Sequence, residues 1–242
     1  MARAPLSELA SRVKPVTLAG QCTLPVLPAL GDVVAGPGLR RGSTVTVAGP
    51  VRRPWGATAL ALALAAGPSQ SGSWVAVVGQ PDLHPGGAAV LGLQLDRLVL
   101  VPEPGRHWAT VVGALLDALD VVVAVPPPAL RPADARRLAG RARERGAVLI
   151  PLLVDGRSWV EGADVRLAVS GARWYGLERG HGLLASRVVE VAATGRGAAG
   201  RQRRIHLWLP GPHGEVAVAP QQDRAPDQVV GGSAPEPEVV AL

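Results

Sequence analysis

Phenylalanine and asparagine are absent from these 242 residues, and Cys, Met, Tyr and Lys occur once each. The single cysteine, Cys22, excludes an intramolecular disulfide framework and any Cys-rich zinc site. Apolar runs are short: Ala57–Ala66, interrupted only by Thr58, is about half a membrane span. No charged, apolar and cleavable leader is read at the start, so the expectation is a cytoplasmic protein with no membrane contact. The five histidines, His84, His107, His181, His206 and His213, have no metal-ligand spacing, and no nucleophile–base–acid order stands out. Neither a metal nor another cofactor is expected.

What is abundant is Ala, Val, Gly, Pro and Arg. The net charge is +6, carried by 24 Arg against one Lys, Lys14. Basicity of this kind suggests nucleic acid. The lack of Lys, Asn and Phe and the two Ile also fit a GC-rich coding sequence, so the Arg clusters are judged individually. Arg131, Arg136, Arg137, Arg141, Arg143 and Arg145 crowd one predicted helix, either as a solvated face or as a binding stripe. Arg196, Arg201, Arg203 and Arg204 flank a Gly-rich loop suited to phosphate contact or to a subunit interface. Trp74, Trp159 and Trp208, in or beside strands, are expected in the core; Trp55 and Trp108 are core or interface anchors.

Three regions are expected. Residues 1–29 read as an arm, with a short helix on Leu6, Leu9 and Val13 and a Pro-containing linker. Residues 30–219 read as an α/β core. Residues 220–242 read as a disordered, acidic, Pro-rich tail of net charge −3, leaving +9 for the rest. In the core, strands at Ser43–Ala48, Trp74–Val78, Arg97–Val101, Val121–Val125 and Ala147–Val154 alternate with helices at Ala57–Ala66, Gly87–Leu93, Trp108–Leu119 and Ala133–Arg145. Continuously apolar strands alternating with helices predict a doubly wound, mostly parallel sheet with helices on both faces. After Asp155 short strands follow at Asp164–Ser170, Ala185–Ala193, Arg204–Leu209 and Val216–Ala219, read as an antiparallel C-terminal extension on one edge.

Ligands of such sheets bind beyond the carboxyl ends of the strands. The first of these ends, Val47-Ala48-Gly49-Pro50, continues VRRPWG into the helix at Ala57. A phosphate loop needs four residues between its glycines, then Lys, then Ser or Thr. Here six residues separate Gly49 from Gly56, Ala57 takes the Lys position and Thr58 the hydroxyl position. Pro54 has no N–H to offer. Arg52 and Arg53 supply charge nearby, as anion ligands or as solvated surface.

The order of these segments resembles the RecA-like ATPase core. The stretches GLRRGSTVTVAGP, LHPGGAAVLGLQLDRLVLV, LDVVVAV, ADVRLAV, RVVEVAATGRG and IHLWL are similar to its successive strands from about Leu30 to Glu215. Aligned on Leu83–Pro85, the resemblance puts the family's water-activating Glu at Gln80 and its metal-directing Asp at Val125, and its phosphate-loop Lys at Ala57. All three groups are replaced. The family's DNA-binding loop is under ten residues here, and no counterpart of its large C-terminal domain is expected.

Within the RecA-like proteins, this chain is most similar to the ImuA-type accessory factors of inducible mutagenesis, particularly the actinobacterial ImuA-prime group, some members of which are labelled SulA-like. The resemblance implies a non-catalytic scaffold in DNA-damage-induced, error-prone translesion synthesis. It implies an ImuB-type polymerase-like adaptor as partner, bound by the C-terminal region, and through it a DnaE-type error-prone polymerase and the sliding clamp. Self-association and contact with RecA are implied by analogy. The competing expectations are a divergent ATPase, a single-strand DNA-binding module, and a cell-division inhibitor.

Overall fold

A computed structural model describes residues 22–50, 56–154, 156–178, 181–195 and 202–220, with side chains 177–184 left aside. The N-terminal helix expected before residue 14, Lys14, Arg52, Arg53, Pro54, Trp55, Asp155, Arg196, Arg201 and the tail after Pro220 lie outside the described residues.

Strand β1 (Thr23–Pro25) pairs antiparallel with β2 (Gly38–Arg40), and the short helix α1 (Gly31–Val34) stands between them. A Cβ on Gly38 would overlap the Leu24 carbonyl, so this close approach requires glycine. Leu24, Leu30, Val33 and Leu39 are buried in the main core, with Val26 and Leu27 packed against it. Residues 22–29 therefore pack against the main core.

The main sheet has nine strands in the order β11-β10-β9-β8-β3-β7-β6-β4-β5. These are β3 (Val45–Ala48), β4 (Val75–Val78), β5 (Leu98–Val101), β6 (Val121–Ala124), β7 (Val148–Leu153), β8 (Val165–Glu178), β9 (His181–Gly195), β10 (Arg203–Trp208) and β11 (Ala217–Val218). From β8 to β5 all neighbours are parallel; β9, β10 and β11 alternate antiparallel. The protein is thus α/β with a mostly parallel sheet. One expectation is corrected: β8 is not antiparallel to the sheet but runs parallel to β3, with Val45 opposite Val165 and Val47 opposite Leu167. It also continues past Ser170 to Glu178, and its antiparallel partner is β9, of 15 residues against 14. Gly171 and Gly176, which look like turns in the sequence, sit at or beside register shifts inside this hairpin, and Gly176 adopts φ +100°.

Helices cover both faces. On one lie α2 (Ala57–Gln70) and α3 (Pro85–Val90). The Ala/Leu sequence of α2 is apolar all round, and it is buried all round, as such helices must be. Its far side meets the N-terminal segment, where a Cβ on Gly67 would stand 2.5 Å from the Pro25 carbonyl oxygen. On the other face α4 (Trp108–Ala118) and α5 (Pro132–Arg145) pack on Ala76, Val78, Val122, Ala124 and Leu149. Local signals define α5 well: Pro132 opens it, Asp134 lies in its first turn, Arg143 and Arg145 in its last, and Gly146 closes it at φ +69°. Trp108 is buried in this second core and Trp74 is 43% exposed, which reverses the expectation for Trp74.

The amino edge of the sheet is fastened by two carboxylates. Asp164 accepts from the Thr44 N–H at 3.0 Å and pairs with Arg40 at 3.1 Å. Asp120 pairs with Arg41 at 2.9 Å and accepts from the Trp74 N–H at 3.3 Å. Arg40 and Arg41 thus lock the turn that starts β3.

Candidate functional site

The opposite, carboxyl edge carries Gly49, Gly56, Ala57, Thr58, Gln80 and Val125, the described positions singled out for nucleotide chemistry. Beyond β3, the Gly49 N–H donates to the Leu153 carbonyl at 3.1 Å. The chain returns at Gly56, whose φ of +91° turns it into α2, and the Gly56 carbonyl accepts from the Leu60 N–H at 2.8 Å. No side chain among the described residues caps this helix. Ala57 is fully buried, and Thr58 is half-buried. A Cβ on Gly56 would stand 3.0 Å from both γ-carbons of Val189, so β9 presses directly on the last glycine of the turn.

Gln80 and Val125 come from the neighbouring strands β4 and β6. Gly79, at φ +80°, donates its N–H to the Val101 carbonyl at 2.9 Å and approaches the Val125 carbonyl so closely that a Cβ would stand 3.1 Å from it. Gln80 follows, half-buried, and its carbonyl accepts from Leu83. Val125 is 6% exposed, and its side chain belongs to the main core. The edge therefore brings the ends of β3, β4 and β6 into one row, with Ala, Gln and Val at the three positions in question. A carboxylate that activates water or directs a metal must be ionised and reach solvent or cation; a buried Val and an amide do neither.

The short loop after β7 lies over the same edge. Arg157 donates from Nη1 to the Pro126 carbonyl at 3.0 Å. Its Nε and the indole N–H groups of Trp108 and Trp159 are buried without a partner among the described residues.

Sequence reasoning missed Arg187. Its Nε donates to the Leu209 carbonyl at 2.8 Å and its guanidinium lies 4.7 Å above the Trp174 ring. No carboxylate pairs with it among the described residues, and desolvation pulls its pKa down to about 10. It stands two positions from Val189 on the same strand face, hence on the side of the sheet that packs against Gly56. The spacing Arg187, Val189, Val191, Ala193 gives the alternation that marks it as inward-facing.

The other arginines separate. Arg141 and Arg145 of α5 converge on Asp117 of α4: Arg141 grips both carboxylate oxygens, and Arg145 Nε stands 3.1 Å from Oδ1. Chiefly through the Arg141 hydrogen bonds, this holds the Asp117 carboxyl below its usual range. Arg137 pairs with Asp134 within its own helix at 3.0 Å. A depression of about 210 Å³ beside this cluster, lined by Thr110, Gly113, Leu138 and Arg141, is a groove between two helices. Arg131, Arg136 and Arg143 are exposed and without an ion pair among the described residues. Arg203 and Arg204 do not share a role: Arg203 buries Nε and Nη2 without a partner among the described residues, whereas Arg204 is exposed and reaches Glu190 at 3.6 Å.

Fold and edge together define an α/β protein whose first parallel strand runs, through a glycine turn, into a buried helix lacking the phosphate-loop lysine. The chain belongs to the family defined by the MT3502 N-terminal domain, which matches residues 32–161. It is 36% identical over 147 residues to the uncharacterized protein Rv3395c of Mycobacterium tuberculosis (strain ATCC 25618 / H37Rv), covering 57% of this chain and 70% of that relative. No helix among the described residues is long and apolar enough to cross a membrane.

Proposed function

We propose that this chain is a non-catalytic RecA-like accessory factor in DNA-damage-induced, error-prone translesion synthesis, and that it holds an ImuB-type polymerase-like adaptor. The observation that carries the reading is the chemistry of the carboxyl edge. Phosphoryl transfer needs a cation on the terminal phosphates, a group that positions water and a held magnesium ion. Ala57, Gln80 and Val125 occupy the three places from which such groups would act, and two of those side chains are buried. A sheet that keeps this arrangement while offering no turnover serves as a platform.

In this reading the acidic segment after Pro220 docks on the adaptor with Val239–Leu242 as its apolar anchor. Co-purification of the adaptor with the full chain and with a chain ending at Pro220 tests it. The full chain retains the adaptor and the shortened chain loses it. Failure of both overturns the partner. ATP turnover that disappears in Thr58→Ala overturns the non-catalytic reading.

A further inference from the structure

The helices α4 and α5 cover β4, β6 and β7 on their side of the sheet, and none of the second core's strand residues comes from β3, β8, β9 or β10. The same face of β8, β9 and β10 therefore has no helix over it among the described residues. Cross-strand register sets what it displays. Arg173 stands opposite Val188, and Tyr175 opposite Ser186; Val188 is in turn opposite Trp208, Glu190 opposite His206, and Ala192 opposite Arg204. Tyr175 and Trp208 meet at 5.1 Å between ring centroids, tilted by 56°, and the Arg173 guanidinium lies 5.2 Å from the Tyr175 centroid. Val188 and Ser186 are buried beneath this cluster. Arg166, Arg173 and Arg204 are exposed, and Tyr175, Trp208 and His206 are half-exposed. Glu190 is the one carboxylate among the described side chains of the three strands, and Arg204 already offsets it.

We propose that this helix-free face of β8, β9 and β10 is a binding surface for single-stranded nucleic acid. The surface combines a surplus of guanidinium charge with planar groups on an open sheet. A backbone of phosphates answers the charge, and unpaired bases answer the planes, stacking on aromatic rings and on guanidinium groups. An acidic peptide answers only the charge. A duplex hides its base faces and so leaves the planar groups of this surface unused. From Arg166 to Arg173 the strand runs roughly 20–25 Å, a length that fits several nucleotides. The proposal uses neither the carboxyl edge nor the adaptor, so it stands or falls apart from the translesion reading.

The test is fluorescence anisotropy of the full chain with a labelled thymidylate oligomer of about 20 nucleotides, titrated from about 50 to about 200 mM salt. Binding weakens steeply with salt, and each of Arg173→Glu and Arg204→Glu, both exposed and outside the core, loosens it about tenfold or more. Arg136→Glu on α5 leaves it within about twofold. Photocrosslinking with halogenated uracil in the oligomer, read by mass spectrometry, places adducts on Tyr175 or Trp208. The proposal is overturned by absence of binding, by equal loss in Arg136→Glu, by competition from polyglutamate at equal charge concentration, or by adducts confined to other segments.

Discussion

Asp117 is where two arginines of one helix meet a carboxylate of another, and the pair of helices has no other ion pair between them among the described residues. Because its carboxyl titrates below the ordinary value when folded, the stability it adds is present above the unfolded value near 3.8 and is lost as pH falls through the folded value. Chemical denaturation of Asp117→Asn against the parent therefore gives a stability gap that is constant near neutrality and closes in acid. Gly67 makes the contrary point about propensity. Alanine is the better helix residue, yet here its methyl would meet the Pro25 carbonyl oxygen at 2.5 Å. Gly67→Ala should cost about 1–3 kcal/mol, read as a lower denaturation midpoint, in place of the small gain an exposed helix would show.

At the scale of elements, the alternation from β3 to β7 is written plainly in the chain. Val-rich strands buried on both faces have few polar interruptions, and α5 carries its own start and stop residues. The two long strands of the β8–β9 hairpin are not legible in the same way, since Gly171 and Gly176 read as turns when they are absorbed by bulges. Trp108 looks exposable because it begins a helix after a polar turn, but it points into the second core; Trp74 looks like strand core but precedes its strand. The carboxyl-edge positions were locatable because each follows a recognisable strand. Arg187 was not, because nothing local distinguishes an inward arginine except the apolar residues at alternate positions beside it. Leu64, fully buried at the centre of α2, anchors the larger core. Leu64→Ala is expected to lose about 2–5 kcal/mol, measured by urea unfolding, because α2 is enclosed on every side and cannot collapse into the gap.

For the whole molecule, the family match from residue 32 to residue 161 stops short of β8, yet β3 pairs with β8 along its full length. Removing everything after Glu161 would strip a parallel neighbour from the middle of a buried sheet and uncover Val45 and Val47. Such a fragment is expected to aggregate on expression, whereas a chain ending at Pro220 stays folded, as size-exclusion chromatography and circular dichroism would show. The segment that the family model matches is thus expected not to fold by itself. The amino edge says the same: Asp164, just before β8, holds both Arg40 and the Thr44 N–H, so the entry to β8 secures the turn that opens β3.

The contact between Val189 and Gly56 leaves no slack between the turn above β3 and the antiparallel strands. A carbon atom added to that glycine would press on the Val189 side chain, which would have to give by a few tenths of an ångström. The turn after β3 and the strand β9 are meshed there like adjoining teeth, so added volume at Gly56 is expected to register first at Val189. Amide chemical shifts along Val188–Val191 in Gly56→Ala, moving while those of α5 stay in place, would register that engagement.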